Sequence, residues 1–230
     1  MADKKNLARY MGVVDFLARH PGYYDQYEEE CIKSYALREN ERNFYLDIMR
    51  EIYDELGFIP DEKNMYITFL KMIEETFGIE GKNIIEVGGG IIPRLGKRIH
   101  LKQNTGTITV YDPRLGRHYE SENRFTLVRE EFTKKTPVDG ADLIVGLMPC
   151  KGAEPLLDQA IKNNIDFILW FCEGGPHGDY FDYFEDDDEW LSSTLYFARK
   201  GVEENKMGKL KVKHLEQFST YPIVYNEREK

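Results

Sequence analysis

The chain has 230 residues and a hydrophobic content of 41%, which is enough to build a core and excludes a largely disordered polypeptide. Its 31 basic and 41 acidic residues give a net charge of −10, which disfavours nucleic acid as the main partner. Two groups of basic residues, at 97–102 and 209–213, are both small. No apolar run approaches the roughly 20 residues that span a bilayer, so we expect no membrane association.

The cysteines and the first residues of the chain indicate the cellular compartment. Three cysteines, Cys31, Cys150 and Cys172, are too few and odd in number for a disulfide scaffold. The start, Met-Ala-Asp-Lys-Lys-Asn, contains no apolar segment typical of a secretory signal. Both observations predict a reducing, cytoplasmic location.

Residues 1–80 show helical periodicity and no strand alternation. Apolar side chains recur at helical spacing in three segments, and a weaker helix is predicted between the first two: 7–17, 25–38, 44–56 and 66–77. Asp61 or Asn64 is the expected cap of the last helix, and Gly78 closes it. We predict that residues 1–80 form a separate helical cap that closes as a lid over the ligand-binding cleft of the remaining residues.

From Asn83 onward, short apolar strands alternate with helical segments, which is typical of parallel βα units. Helices are predicted after Pro93, over 153–163 and over 188–204. The predicted strands cover 83–87, 107–111, 125–128, 141–147, 165–171, 210–215 and 221–225. Pro222 cannot donate a ladder hydrogen bond, so we expect it at the first residue of the last strand or at a bulge.

The segment from Asn83 to Pro113 combines a buried strand, a glycine turn, a helix and a second strand that ends in Asp112. The glycines Gly88-Gly89-Gly90 let a ligand approach the backbone closely, because no Cβ blocks it. The N–H groups of the next helix point back at such a ligand. An acid that closes the second strand is placed to accept hydrogen bonds from ribose hydroxyls. This unit predicts a nucleoside-bearing cofactor.

The residues around the glycines indicate which cofactor it is. A nicotinamide or flavin fingerprint needs Gly-x-Gly-x-x-Gly after an apolar strand. Here Gly88 and Gly90 are present, Pro93 stands at the third glycine position, and Glu86 precedes the first glycine by two residues. These differences argue against an NAD(P)-dependent oxidoreductase, which is kept as an alternative.

The pattern Glu86-Val87-Gly88-Gly89-Gly90, with Asp112 after the next strand, resembles the first motif of the class I S-adenosylmethionine-dependent methyltransferases. The resemblance covers about residues 83–225. It implies that residues 81–230 form an α/β, Rossmann-like, mostly parallel doubly wound sheet with a C-terminal antiparallel hairpin. It also implies S-adenosyl-L-methionine as the cofactor and methyl transfer as the activity.

The resemblance also assigns roles to individual residues. The glycine loop would wrap the methionine end of the cofactor, through Glu86, Gly88, Gly89 and Gly90. Asp112 would hold the ribose, and Pro113 and Arg114 would pack on one face of the adenine. Glu130 or Glu131, after the third strand, would accept from the adenine amine, although a solvated turn explains both acids equally well.

The loop after the fourth strand, Leu147-Met148-Pro149-Cys150, also lies at the predicted cofactor edge, and Met148 is a further cofactor-binding candidate. Amino-directed methyltransferases of nucleic acids often carry an Asn- or Asp-Pro-Pro-aromatic tetrapeptide at this place. The departure from that pattern counts against a nucleic-acid amine and favours a small-molecule acceptor. It also keeps open a module that binds S-adenosylmethionine without transferring the methyl group.

The loop after the fifth strand contains Glu173 and His177 among three glycines and a proline, a composition typical of functional loops. His177 is the candidate that takes a proton from the acceptor, because its ordinary pKa of about 6.5 lies near operating pH. Glu173 is the second catalytic candidate, and an exposed, non-functional histidine is the alternative. Cys150, Cys172 and His177 match no zinc spacing, so no metal is predicted.

Overall fold

A computed structural model describes residues 59–102, 104–116, 119–172, 187–215, 217–219 and 221–228, with five scattered positions before residue 59. The helices predicted over 7–17, 25–38 and 44–56 lie outside the described residues, as does the loop that contains Glu173 and His177. The chain divides into two compact units, residues 1–68 with 116–119 and residues 69–115 with 120–230.

Seven strands in the described residues form one sheet. They are β1 (Ile84–Val87), β2 (Ile108–Tyr111), β3 (Phe125–Val128), β4 (Leu143–Leu147), β5 (Asp166–Trp170), β6 (Lys209–Lys213) and β7 (Ile223–Glu227). The order across the sheet is β3-β2-β1-β4-β5-β7-β6. The first five strands are parallel, and β7 runs antiparallel to both β5 and β6. The Rossmann-like sheet with a C-terminal antiparallel hairpin is therefore confirmed.

Helices cover both faces of the sheet, which explains why its central strands are apolar on both sides. They are α1 (Met65–Phe77), α2 (Arg94–His100), α3 (Ala153–Lys162) and α4 (Asp187–Glu204). β1 and β4 are buried at every position. On one face, Ile85, Ile144 and Phe167 lie side by side in register and form a core with α3 and α4. The opposite face carries Glu86 and Val110, which meet α2.

α1 begins at Met65 because Asn64 caps it, with its Oδ1 accepting from the backbone N–H groups of Tyr66 at 3.0 Å and Ile67 at 3.3 Å. This confirms one of the two predicted caps. The helix ends at Phe77, and Gly78 follows with φ +66°, a left-handed value that suits glycine. The ring of Phe77 meets the ring of Tyr225 edge-on, with centroids 6.4 Å apart.

The hairpin of β6 and β7 completes the sheet beside β5. Pro222 lies directly before β7, and its carbonyl accepts from the Phe171 N–H at 3.1 Å. At the other end of β7, the fully buried Asn226 accepts from the Phe167 N–H and donates to Asp166 and to the Met207 carbonyl. This amide joins β5, β7 and the residues before β6.

The strands predicted from Asn83 onward all appear, as do the helices predicted over 66–77, after Pro93, over 153–163 and over 188–204, with boundaries within a few residues of those expected from sequence. No helix in the described part of the chain has the length and apolar character needed to cross a bilayer.

Candidate functional site

The strand order identifies the edge at which a ligand would bind. The chain builds β1, β2 and β3 outward in one direction, then returns to the other side of β1 with β4 and β5. Strand order therefore reverses between β1 and β4. In open parallel sheets, ligands bind beyond the carboxyl ends of the strands at this point. The turns after β1, β2, β3 and β4 all lie along that edge.

The three glycines after β1 have different physical roles. Gly88 has φ +81°, and a Cβ on it would lie 2.5 Å from the Pro149 Cα in the turn after β4. A Cβ on Gly89 would collide with Cγ1 of Val110. Gly90 has φ +72°, and a Cβ there would meet nothing within 4 Å. Gly88 and Gly89 therefore permit close packing, whereas Gly90 faces open space, where a ligand can approach the backbone.

Asp112 connects the ends of β1 and β2. Its side chain is buried, and its Oδ2 accepts from the Gly90 N–H at 2.8 Å. Its Oδ1 accepts from the Arg114 N–H at 2.7 Å, and the Arg114 guanidinium donates to both carboxylate oxygens at 3.2 and 3.1 Å. The Asp112 carboxylate therefore lies beside the glycine turn and organises it, and its role in holding a ribose stays a prediction.

Glu86 lies beneath the glycine turn rather than on its open side. Its Oε2 accepts from the Gly96 N–H in α2 at 2.8 Å, and the side chain is only 2% exposed. Burial raises the pKa of Glu86 from 4.5 to about 8, and the Asp112 charge acts in the same direction. The Gly96 hydrogen bond and the Arg94 charge act against the shift. Glu86 is thus protonated for the most part at neutral pH, and its contact with a cofactor stays a prediction.

The turns after β2 and β3 place three further candidates on the surface, Pro113, Glu130 and Glu131. Burial, followed by the Glu130 charge, raises the pKa of Tyr111 at the end of β2. Glu130 is therefore better placed than Glu131 to reach a ligand that lies over β2. The adenine role of either acid stays a prediction.

The turn after β4 has an unusual backbone. Met148 and Cys150 have φ of +53° and +49°, values that non-glycine residues rarely adopt. The Met148 N–H donates to the Trp170 carbonyl at 2.8 Å, which extends the β4–β5 pairing by one residue. Met148 is half-buried at the same edge as the glycine turn. Its role in cofactor binding is a prediction that these contacts do not test.

The two catalytic candidates, Glu173 and His177, lie outside the described residues, so their predicted role is untested. Among the residues that the structure describes, no three His, Cys, Asp or Glu side chains come together as a metal site.

Sequence reasoning missed two contacts at this edge. Arg114 pairs with Asp112, for which the Asp-x-Arg spacing after a strand was the available signal. Gly96 can lie against Glu86 because it has no side chain, whereas a Cβ at this position would fall 2.5 Å from the Glu86 Oε2. A glycine within a short helix was the only sign of this contact in the sequence.

No protein-family model matches the chain, and no curated protein matches it at a significant level. Among solved structures, it is similar to a candidate S-adenosyl-L-methionine-dependent methyltransferase from Methanococcus maripaludis. The identity is 16%, the match covers 84% of this chain and 98% of that chain, and the TM-score is 0.48.

The chain is also similar to magnesium protoporphyrin IX methyltransferase from Synechocystis PCC 6803, a structure with bound S-adenosylmethionine. There the identity is 12%, the coverage is 100% of this chain and 99% of that chain, and the TM-score is 0.47. A candidate RNA methyltransferase from Pyrococcus horikoshii shares 13% identity over 72% of this chain and 84% of its own, with a TM-score of 0.44.

Proposed function

We propose that the chain binds S-adenosyl-L-methionine at the carboxyl edge of β1, β2 and β3 and transfers its methyl group to a small-molecule acceptor. The hydrogen bond from the Gly90 N–H to Asp112 Oδ2 carries the proposal. It brings an acidic acceptor for ribose hydroxyls against a glycine turn at the point where strand order reverses.

The residues at this edge fit such a cofactor. Gly90 leaves its backbone open to a ligand, since a Cβ there would meet nothing within 4 Å. The Asp112 carboxylate supplies oxygens for a diol, and Glu130 stands at the end of the neighbouring strand. When bound, the cofactor supplies a methyl group on a sulfonium, whose transfer is a simple displacement. The protein then contributes mainly alignment of the acceptor and exclusion of water.

A small molecule is favoured over nucleic acid as the acceptor. The net charge is −10, and basic residues in both small groups lie beside acids. Lys102 Nζ lies 2.8 Å from Glu74 Oε1, and Lys211 Nζ lies 3.0 Å from Glu227 Oε2. Pairs of this kind leave less positive charge for a phosphate backbone. A cytoplasmic location, and proton transfer by His177 or Glu173, remain part of the proposal.

Calorimetry on the purified protein tests the cofactor. We expect binding of S-adenosylmethionine and of its demethylated product, and no binding of NADH. Tight NADH binding without heat from S-adenosylmethionine would overturn the proposal in favour of an oxidoreductase. Mass spectrometry of small molecules retained by the protein gives an independent answer.

Release of the demethylated cofactor separates an enzyme from a binding module. The protein is incubated with S-adenosylmethionine and a small-molecule extract, and the demethylated product is measured over time, with Asp112→Asn as the control. Product formed only by the native chain supports methyl transfer. Tight cofactor binding without any turnover supports the non-catalytic module.

A further inference from the structure

Two cysteine thiols meet beside the proposed cofactor site. Cys150 follows β4 and Cys172 follows β5, and the two strands are neighbours in parallel register. The Met148 N–H bond to the Trp170 carbonyl continues that register past the strand ends. The thiols of Cys150 and Cys172 lie close enough for each to shift the pKa of the other, and the Cys150 Sγ also donates to the Met148 carbonyl oxygen over 3.6 Å. Neither forms a disulfide.

The two thiols differ in access to solvent. Cys150 is half-buried, whereas Cys172 is only 8% exposed. Cys150 is also held in a left-handed backbone conformation, φ +49°, which persists in a non-glycine residue only where the surrounding structure imposes it. A reagent from solvent would therefore reach Cys150 first, with Cys172 directly behind it.

The two thiols also differ in pKa, so that Cys150 has the larger thiolate fraction. The hydrogen bond from Cys172 lowers the pKa of Cys150 to about 7, and the Arg114 guanidinium acts in the same direction, while burial and the Asp112 charge oppose it. The same pairing, together with burial, raises the pKa of the Cys172 thiol above its ordinary value. Thiolate character and access to solvent are what make a cysteine reactive towards oxidants.

We propose that Cys150 and Cys172 form a peroxide-reactive dithiol in which Cys150 is the attacking thiolate and Cys172 the resolving thiol. The Cys150 sulfur attacks hydrogen peroxide, so that an S–O bond forms, the O–O bond breaks and hydroxide leaves. The Cys172 sulfur then attacks the Cys150 sulfenic acid, so that the S–S bond forms and water leaves. Overall, the two thiols lose two electrons and two protons to one peroxide, which becomes two waters.

This modification site does not depend on the proposed methyl transfer, because no cofactor takes part. The same two sulfurs make a poorer metal site, since within the described ranges no third His, Cys, Asp or Glu joins them. Two adjacent thiols of unequal access are instead typical of sulfenic acid formation followed by resolution.

Counting thiols in the full-length chain tests the proposal. Cys31→Ser removes the third cysteine, so that only the pair remains. The reduced protein is treated with hydrogen peroxide in slight molar excess at neutral pH, then denatured, and its free thiols and peptide masses are measured. We expect both thiols to disappear together in a monomer, with a 150–172 cross-linked peptide, and dithiothreitol to restore them.

Two further variants in the Cys31→Ser background assign the roles. In Cys172→Ser, we expect a cyclic 1,3-dione to trap a sulfenic acid on Cys150. In Cys150→Ser, we expect Cys172 to react at least about tenfold more slowly, as its lower thiolate fraction requires. Retention of both thiols in folded Cys31→Ser protein, or a disulfide between two copies of the chain, would overturn the proposal. Because this count is made in Cys31→Ser itself, the test stands even where either further variant fails to fold.

Discussion

The backbone N–H of Gly90 donates to Asp112 Oδ2 over 2.8 Å and thereby joins the turn after β1 to the end of β2. The pairing holds the Asp112 carboxylate at the edge where Gly90 is open to a ligand. Asp112 therefore orders the glycine turn, and under the proposed function the same acid would offer oxygens to a ribose.

Asp112→Asn should weaken S-adenosylmethionine binding by about ten- to a hundredfold. Each hydrogen bond to a charged carboxylate contributes about 1.5–3 kcal/mol, and 1.4 kcal/mol is a factor of ten in affinity. Asparagine keeps one acceptor oxygen for the turn, so this change tests binding better than alanine does. Calorimetry measures it, with the exposed acid Asp139→Asn as the matched control. Equal affinities in the two folded variants would remove Asp112 from the site.

The glycines of the turn should separate packing from ligand access. Gly88→Ala places a Cβ 2.5 Å from the Pro149 backbone at φ +81°, and we expect it to cost about 3 kcal/mol or more in unfolding free energy. The Cβ of Gly90→Ala meets no atom within 4 Å, so only the left-handed backbone conformation lowers the unfolding free energy, by about 1–2 kcal/mol. Denaturant titration compares them. Gly90→Ala should fold yet bind the cofactor more weakly, and unchanged affinity would show that no ligand approaches there.

Glu86 should make stability fall as pH rises. The folded chain keeps the Glu86 proton up to about pH 8, whereas an unfolded glutamate loses it near 4.5. The folded state therefore binds more protons across this window, so the stabilisation is complete below pH 4.5 and is lost as pH passes 8. The slope reaches at most about 1.4 kcal/mol per pH unit.

Glu86→Gln isolates this effect, because its amide oxygen can still accept from the Gly96 N–H. We expect the unfolding free energy of the native chain to fall, relative to Glu86→Gln, between pH 5 and pH 8 in denaturant titrations. A constant difference across that range would show that Glu86 ionises with an ordinary pKa.

Glu130 and Glu131 form a matched pair of neighbouring exposed acids. Because the Glu130 charge acts on Tyr111 at the end of β2, we expect Glu130→Gln to weaken S-adenosylmethionine binding by about tenfold, the value of one charged hydrogen bond. Glu131→Gln should leave the affinity within about twofold. Calorimetry on both variants measures the two affinities. A larger loss of affinity in Glu131→Gln than in Glu130→Gln would assign the adenine contact to Glu131.

The predicted lid can be tested by truncation. Phe69 lies 5.9 Å, between ring centroids, from Trp170, and Phe77 packs on Tyr225, so removal of α1 would expose the sheet. A chain that begins at Ile59 keeps α1. We expect it to retain cofactor binding and to lose acceptor turnover. Turnover equal to that of the full chain would contradict a lid role for the N-terminal residues.

Much of this fold could be predicted because local patterns carry it. The strands 84–87, 108–111 and 125–128 appear almost as the apolar runs indicate, and Asn64 caps α1 by its own side chain. The order of the strands is less local. The sequence of the turn Gly88–Gly90 is enough to predict a ligand-binding loop. The spacing of apolar residues, in contrast, does not predict that β4 pairs with β1.

By itself, the sequence determined the α/β class, the glycine turn at the end of β1 and the acid at the end of β2, since these depend on residue type and short spacing. Only the tertiary structure decided what each residue contacts. It buried Glu86 against Gly96, divided the glycines into two that pack and one that is open, and brought Cys150 against Cys172. Contacts of this kind join residues from different strands, and their pKa values depend on burial and charge that exist only once the sheet has formed.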